Sequence, residues 1–324
     1  MEVNPCRLEL NPKMFDRNVS LKNLSSFKIG GEAEYFLAPR SLEEAAAGLE
    51  EWRRINPRGD NLFVLGGGTN ILWSDYGYLG LIIHPLFENF EIDGSEIVAG
   101  AGLDVSQVLN RLAEANLAGL EWAGGLPGTL GGAVFGNAGA FGGEMKDFLT
   151  EITSLDLKTL KLVKRKTEDC RFDYRTSLFR ERRGEEIIVE CRLRLAPGEK
   201  EEILRGIEKR VSYRKEKHPM EHPNIGSIFK NVPAERIKPE LVVEYNLRVK
   251  TDPFPVIPAA RLIAEAGLAG VALGGAMISP KHPNFIVNTL EASSDDVCGL
   301  IFLVKDEIRS KFGLDLETEV HILA

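Results

Sequence analysis

Between Gly124 and Gly143 the chain reads GGLPGTLGGAVFGNAGAFGG, nine glycines in twenty residues. Glycine loses more backbone entropy on folding than any other residue, so a run this dense needs a compensating reason. The usual one is a main chain that passes close to another body and offers N–H groups with no side chain in the way. Successive N–H groups of that kind form a concave site for phosphate. A second cluster, Leu65-Gly66-Gly67-Gly68-Thr69-Asn70, follows directly on the apolar strand expected at 62–65. Two clusters point to a long, phosphate-bearing cofactor lying across the fold. Neither is a Walker loop, since no Gly-Lys-Ser/Thr follows, and neither has the G-x-G-x-x-G spacing of a Rossmann turn. For 65–70 a merely tight turn is the plain alternative.

A chain of 324 residues is long enough for two or three domains, each with its own core. Hydrophobic content of 44% and charge of 27% are those of a globular protein. The net charge of −8 argues against nucleic acid or an anionic membrane as partner. The basic stretch 158–166 alternates with apolar residues and reads as the solvent face of a hairpin. Cys6, Cys170, Cys191 and Cys298 are scattered without a C-x-x-C pair. That fits a reducing cytosol and supplies neither a disulfide framework nor a metal site. His84, His218, His222, His282 and His321 lack the spacing of zinc ligands. With no signal-type apolar segment and no membrane-length run, a cytoplasmic protein is expected.

Strands and helices are mixed throughout, an α+β pattern. Ser41-Leu42-Glu43-Glu44 opens a helix to about Arg54 with a capping box. Asp104 caps a second over 104–116, whose stripe is Val105, Val108, Leu109 and Leu112. Two strands flank Lys158-Thr159, and a third covers 187–195. A helix follows over 200–213. Pro258 at a first helical position and Gly267 past the end bracket another, and Ser294 opens a long one closed by Gly313. The segment 317–323 alternates like a strand. Boundaries are expected near 85–93 and 218–223.

Several motifs then carry a resemblance. Phe27-Lys28-Ile29-Gly30-Gly31, the 65–70 cluster, Gly125-Leu126-Pro127-Gly128-Thr129-Leu130-Gly131-Gly132 and Asn137-Ala138-Gly139-Ala140 stand in the first half. Tyr174-Arg175-Thr176-Ser177, Gly226-Ser227-Ile228-Phe229-Lys230-Asn231, His282-Pro283-Asn284-Phe285-Ile286-Val287-Asn288 and Glu319-Val320 stand in the second. In order and spacing, from Leu24 to Val320, the chain resembles the UDP-N-acetylenolpyruvoylglucosamine reductase (UDP-N-acetylmuramate dehydrogenase) family. The resemblance implies a three-domain flavoprotein with an FAD-binding fold of the vanillyl-alcohol oxidase type and a substrate-binding domain. Residues 1–88 with the C-terminal strand 311–324, and residues 89–207, would hold FAD non-covalently; residues 208–310 would take the substrate. Cofactor contacts would come from Gly66, Gly67, Gly68, Thr69 and Asn70, and from Gly128, Thr129, Gly132, Asn137 and Gly139. NADPH would reduce FAD, and hydride would pass to C3 of the enolpyruvyl ether of UDP-N-acetylglucosamine. Protonation of C2 would then give UDP-N-acetylmuramate for peptidoglycan. These small molecules are the expected partners, with no obligate protein partner inferred.

The resemblance singles out three polar residues. Hydride addition at C3 pushes charge onto C2 and its carboxylate, and a fixed cation there stabilises developing charge. Arg175 is the candidate, since guanidinium matches a carboxylate bidentately; a salt bridge to Asp173 or Glu168 is the plainer reading. Ser227 maps to the proton donor, or is a turn serine after Gly226. Glu319 maps to the glutamate that orients the enolpyruvyl carboxylate, with exposed strand carboxylate as its alternative. Arg214 and Lys217 fall where phosphate-contacting cations lie, and Asn231 where a polar substrate contact lies. Asp173 and Val232 depart from the usual glycine and proline, and Asp173 adds a negative charge near Arg175. The short interval from Arg175 to Ser227 resembles the second type of the family, which lacks the tyrosine-bearing loop. An alcohol or hydroxy-acid oxidase on the same fold, and a catalytically silent flavin or nucleotide-sugar binder, are the rival readings.

Overall fold

The computed structural model describes residues 14–251 and 254–323, so Cys6 lies outside the described residues. The N-terminal region is a four-stranded sheet in the order Asp16–Ser20, Glu32–Leu37, Tyr78–Ile83, Leu62–Val64. Tyr78–Ile83 runs parallel to both of its neighbours, and Asp16–Ser20 is antiparallel to Glu32–Leu37. The parallel strands are apolar because both faces are covered. On one face lies the helix Leu42–Ile55, which buries Ala45, Leu49 and Trp52. Ser41 caps it, its hydroxyl accepting from Glu44 N at 3.2 Å. The expected box is only half formed, because the Glu44 carboxylate accepts from Arg40 N at 2.7 Å.

The middle of the chain forms a five-stranded antiparallel sheet. Its order is Leu162–Lys166, Leu149–Asp156, Glu186–Arg194, Glu96–Gly100, Phe90–Asp93. The helix Val105–Glu114 buries Val105, Val108, Leu109 and Leu112 in one core with Ile97, Ala99, Cys191 and Leu193 of the sheet. Each such side chain contributes about 1.5–3 kcal/mol on burial. The next helix, Lys200–Lys217, runs one turn beyond the expected end and stops at His218.

A third core gathers around the helix Ser294–Phe312, with Val297, Leu300, Ile301, Val304 and Ile308 inward. Its cap is Ser293, not Ser294; Ser293 Oγ accepts from Asp296 N at 3.1 Å. Ser294 instead locks this helix to the N-terminal region, its N–H donating to Asp75 Oδ2 at 2.6 Å. The chain then returns. The expected strand over 317–323 is shorter, because only His321–Leu323 pairs, in parallel, with Ile71–Trp73. Just before it, Thr318 makes an isolated antiparallel bridge to Phe229. This last stretch therefore ties the first glycine cluster to the segment that carries Ser227.

Candidate active site

The two glycine clusters meet. A Cβ on Gly67 would stand 2.5 Å from Gly128 Cα, and one on Gly128 (φ +101°) 2.8 Å from Thr69 Oγ1. Both positions require glycine for close approach. From Gly66 through Asn70, and at Gly128 and Thr129, no backbone N–H donates to another described residue. A concave stretch of unpartnered donors is what an anionic diphosphate needs. Beside it opens a cleft of about 440 Å³ lined by Ser25, Ser26, Lys28, Gly66, His84 and Gln107 among others. The residues present thus fit a phosphate-bearing dinucleotide. Protein packing explains other glycines of the long run: a Cβ on Gly124 would meet Ile207 O at 2.6 Å, and one on Gly143 would meet Trp122 at 2.5 Å.

Several expected cofactor residues are engaged elsewhere. Gly132 N donates to Thr129 Oγ1 at 3.3 Å, capping the short helix Leu130–Phe135. Asn137 is fully buried, and its amide donates to Glu144 Oε2 at 3.1 Å and Asp173 O at 3.0 Å. Its Oδ1 accepts from Lys146 N at 3.1 Å. The Asn137 side chain is scaffold, holding the turn that precedes Arg175. Asn70 likewise turns its amide to Glu319 O at 3.3 Å.

Tyr174 and Arg175 form the tip of a two-residue turn closed by reciprocal bonds between Asp173 and Thr176, at 3.2 and 3.1 Å. Arg175 adopts φ +55°, a left-handed conformation that costs a non-glycine residue about 1–3 kcal/mol and concentrates at functional sites. Its Nη2 donates to Gly139 O at 2.7 Å, and its Nε meets Glu319 Oε1 at 2.9 Å. The ion pair therefore goes to neither Asp173 nor Glu168. The Asp173 carboxylate accepts from Tyr174 N at 2.7 Å, which bends the turn. The ring of Tyr174 lies 5.1 Å from the guanidinium carbon of Arg175, and burial pushes its phenol pKa up.

Ser227 is presented by an Asx-type turn in which Asn224 Oδ1 accepts from Gly226 N at 3.1 Å, with Gly226 at φ +81°. The Ser227 hydroxyl is half-buried and makes no hydrogen bond to another described residue. The segment after it is held from both sides. Glu319 N donates to Ile228 O at 2.8 Å and Lys230 N to Glu317 O at 2.9 Å. Opposite, Asn284 Nδ2 donates to Phe229 O at 2.8 Å and its Oδ1 accepts from Phe229 N at 3.0 Å. Arg175, Ser227 and Glu319 are thus brought together by one ion pair and one main-chain hydrogen bond.

Arg214 reaches the glycine run, its Nε donating to Gly124 O at 3.0 Å, while its buried Nη2 finds no hydrogen-bond partner among the described residues. Burial, then repulsion from Arg175, lowers its pKa. Lys217 is exposed and pairs with its neighbour Glu216 at 2.6 Å. Asn231 Oδ1 accepts from Ala259 N at 3.1 Å, at the start of the helix Ala259–Glu265. It also lines a small cleft with Tyr174, Lys230 and Arg236. Two residues escaped the sequence reading. Asn284 stood inside a quoted motif without a role, and Arg180, in the short helix Leu178–Glu181, donates from Nη2 to Glu319 O at 2.7 Å.

Glycine-rich main chain with unpartnered donors beside an arginine, a glutamate and a serine fits one class, a flavin-dependent oxidoreductase, and the FAD binding domain profile matches residues 33–159. The chain belongs to the UDP-N-acetylenolpyruvoylglucosamine reductase family, whose C-terminal domain profile matches residues 218–323. The reductase of Halalkalibacterium halodurans is 38% identical over 94% of this chain and 93% of its own length. That of Synechocystis sp. is 35% identical over 100% and 95%. The crystal structure of the reductase from Thermus caldophilus superposes with a TM-score of 0.73 at 31% identity, covering 96% of this chain and 99% of that one.

Proposed function

We propose that Arg175, Glu319 and Ser227 carry the reduction of UDP-N-acetylglucosamine enolpyruvate to UDP-N-acetylmuramate, with NADPH as hydride source, in peptidoglycan precursor synthesis. FAD, when bound, supplies a two-electron carrier between NADPH and the enolpyruvyl group. The N–H groups of Gly66–Asn70, Gly128 and Thr129 hold its diphosphate. Arg175, fixed by Gly139 O and Glu319, offers its remaining donors to the enolpyruvyl carboxylate and stabilises charge that grows there in the transition state. Glu319 keeps the guanidinium plane in place. The Ser227 hydroxyl, free of competing bonds, gives its proton to C2. Arg214, with an unpartnered buried Nη2, suits an anionic group of the substrate, whereas Lys217 is paired at the surface.

The observation that carries this reading is the Arg175–Glu319 contact together with the bond from Glu319 N to Ile228 O, one residue past Ser227. The domains expected from the sequence, 1–88 with 311–324 and 89–207, would then enclose the cofactor, and that of 208–310 would take the nucleotide sugar. A cytoplasmic setting follows from the cosubstrate. It is supported by the free thiols of Cys170, Cys191 and Cys298 and by the lack, among the described residues, of a helix long and apolar enough to cross a membrane. The test is turnover in deuterium oxide with the enolpyruvyl nucleotide. Solvent deuterium at C2 and NADPH-derived hydrogen at C3 are expected. A colourless protein, or NADPH consumption that ignores the nucleotide and reduces oxygen, overturns the reading.

A further inference from the structure

Arg180 is half-buried and forms no salt bridge with any described residue. The one hydrogen bond of its guanidinium runs from Nη2 to the main-chain oxygen of Glu319, leaving Nε and Nη1 without a hydrogen-bond partner among the described residues. Removing a guanidinium from water costs several kcal/mol unless an anion or several acceptors replace the lost hydration. The described protein offers this guanidinium the attraction of the Glu319 carboxylate, without a direct ion pair, and one main-chain carbonyl. The same Glu319 oxygen also accepts from Asn70, the last residue of the first glycine cluster. On its other side, Arg180 Nη1 stands 4.0 Å from where a Cβ on Gly136 would be, within the second glycine run. The guanidinium therefore sits where the two runs and Glu319 converge.

The charge count around it is lopsided. Arg175 is close enough to Arg180 and to Arg214 to repel both, while Glu319 is the carboxylate that meets Arg175. Arg175 and Arg180 thus share one carboxylate, and Arg214 adds a third positive charge beside Arg175. Surplus positive charge with donors left over attracts an anion that arrives from outside. Arginine in particular matches planar, delocalised anions.

We propose that Arg180 is a second cationic contact of the reaction centre, one that meets the delocalised negative charge of a bound planar monoanion. This rests on the reaction proposed above, which brings two such anions: the enolpyruvyl carboxylate and the reduced isoalloxazine ring. Arg175 is then free to keep its bond to Glu319 while Arg180 shares the incoming charge.

The flavin-loaded variants R180K and R180Q separate the two sources. One arm measures the midpoint potential of the bound flavin without nucleotide. The other titrates oxidised enzyme with the enolpyruvyl nucleotide and follows the flavin absorbance. In R180Q, one arm is expected to lose at least tenfold; for the two-electron couple, tenfold is about 30 mV lower. R180K, which keeps the charge, should stay within about threefold of wild type, since a lysine restores the point charge though not the fork. A potential shift assigns the anion to the ring, and a weaker titration assigns it to the carboxylate. Unchanged values in both arms overturn the proposal. So does an R180K loss as large as that of R180Q, which reduces Arg180 to a hook for the Glu319 main chain. Loss of flavin from R180Q alone supports the charge, and loss from both variants overturns it. A yellow wild-type protein that reduces no enolpyruvyl nucleotide would instead sink the reaction on which the proposal rests.

Discussion

Arg175 Nε lies 2.9 Å from Glu319 Oε1, and the two side chains keep 20% and 21% of their surface exposed. The pair is formed before substrate arrives, yet remains within reach of it. Its geometry depends on the planar fork, since Nη2 is held at the same time by Gly139 O at 2.7 Å. Arg175→Lys keeps the charge and loses that double hold. The expected result is a fall in kcat/KM for the nucleotide of about 10²–10³, the range for loss of one transition-state donor. Flavin reduction by NADPH should continue, because it involves no enolpyruvyl carboxylate. Stopped-flow measurement of the two half-reactions checks this; equal losses in both would remove Arg175 from the role.

Ser227→Ala separates the half-reactions in another way. The hydroxyl makes no structural hydrogen bond among the described residues, so its removal should leave stability nearly unchanged. Bleaching of the flavin by NADPH should proceed as before. Reoxidation by the nucleotide should slow by about 10²–10⁴, the usual cost of losing a general acid. A variant that reoxidises at the wild-type rate would mean that C2 takes its proton from water or another group.

Gly67→Ala tests the cradle. Its Cβ would stand 2.5 Å from Gly128 Cα and 3.1 Å from Thr129 N, against main chain that cannot swing aside. The two loops would be forced apart, and the purified protein is expected to lose its yellow colour. Gly94→Ala is the control: φ is +60° there as well as the space being open, so only strain of about 1 kcal/mol is expected, with flavin retained. Flavin bound stoichiometrically by Gly67→Ala would show that the clusters do not carry the diphosphate.

What could be read from the chain beforehand was local. The glycine clusters, the Ser41 cap and the stripe Val105, Val108, Leu109, Leu112 rest on neighbours in sequence, and each is present. The long-range bonds were not legible. Asn70 and Asn137 were expected at the cofactor by position, but their amides satisfy Glu319, Glu144 and Asp173. Glu319 was expected within a regular strand, whereas it lies between the Thr318 bridge and the strand His321–Leu323. Arg180 carried no signal in the sequence, and only the C-terminal return places Glu319 O against it. In each case the deciding partner lies far along the chain.

Two histidines set an acid limit on stability. Burial pushes His218 and His321 down to about 4 from the usual 6.5. Neighbouring His282 and Arg214 add to this for His218, and Arg180 and Arg183 for His321. Both rings are therefore neutral in the fold, and His321 Nδ1 faces Arg183 Nη1 at 3.1 Å as an acceptor. Below 6.5 the unfolded chain takes up protons that the folded chain refuses, so stability falls as pH drops toward 4. The urea midpoint should decline steadily from neutral pH into this window. His218→Phe, which suits a site already packed against Phe285 at 5.0 Å, should make that decline shallower. An unchanged slope would remove His218 as a contributor.

Asn284 offers the sharpest test of how the Ser227 segment is held. It is only 3% exposed, and both ends of its amide bind the same residue, Phe229, while its own carbonyl accepts from Ile228 N at 2.8 Å. The side chain thus takes the place of a neighbouring strand. Asn284→Leu has a similar volume but leaves a buried N–H and a buried C=O unpartnered, each costing about 1–3 kcal/mol. Asn284→Asp retains the acceptor for Phe229 N and sets an oxygen against Phe229 O, so it should also destabilise. Chemical denaturation will read these losses. If the clamp also aligns Ser227, a folded, yellow Asn284→Asp enzyme should be reduced normally by NADPH yet reoxidise more slowly with nucleotide, as Ser227→Ala does. Loss of stability with normal reoxidation would confine Asn284 to the core and leave the alignment of Ser227 to the Asn224 turn and the Glu319 main chain.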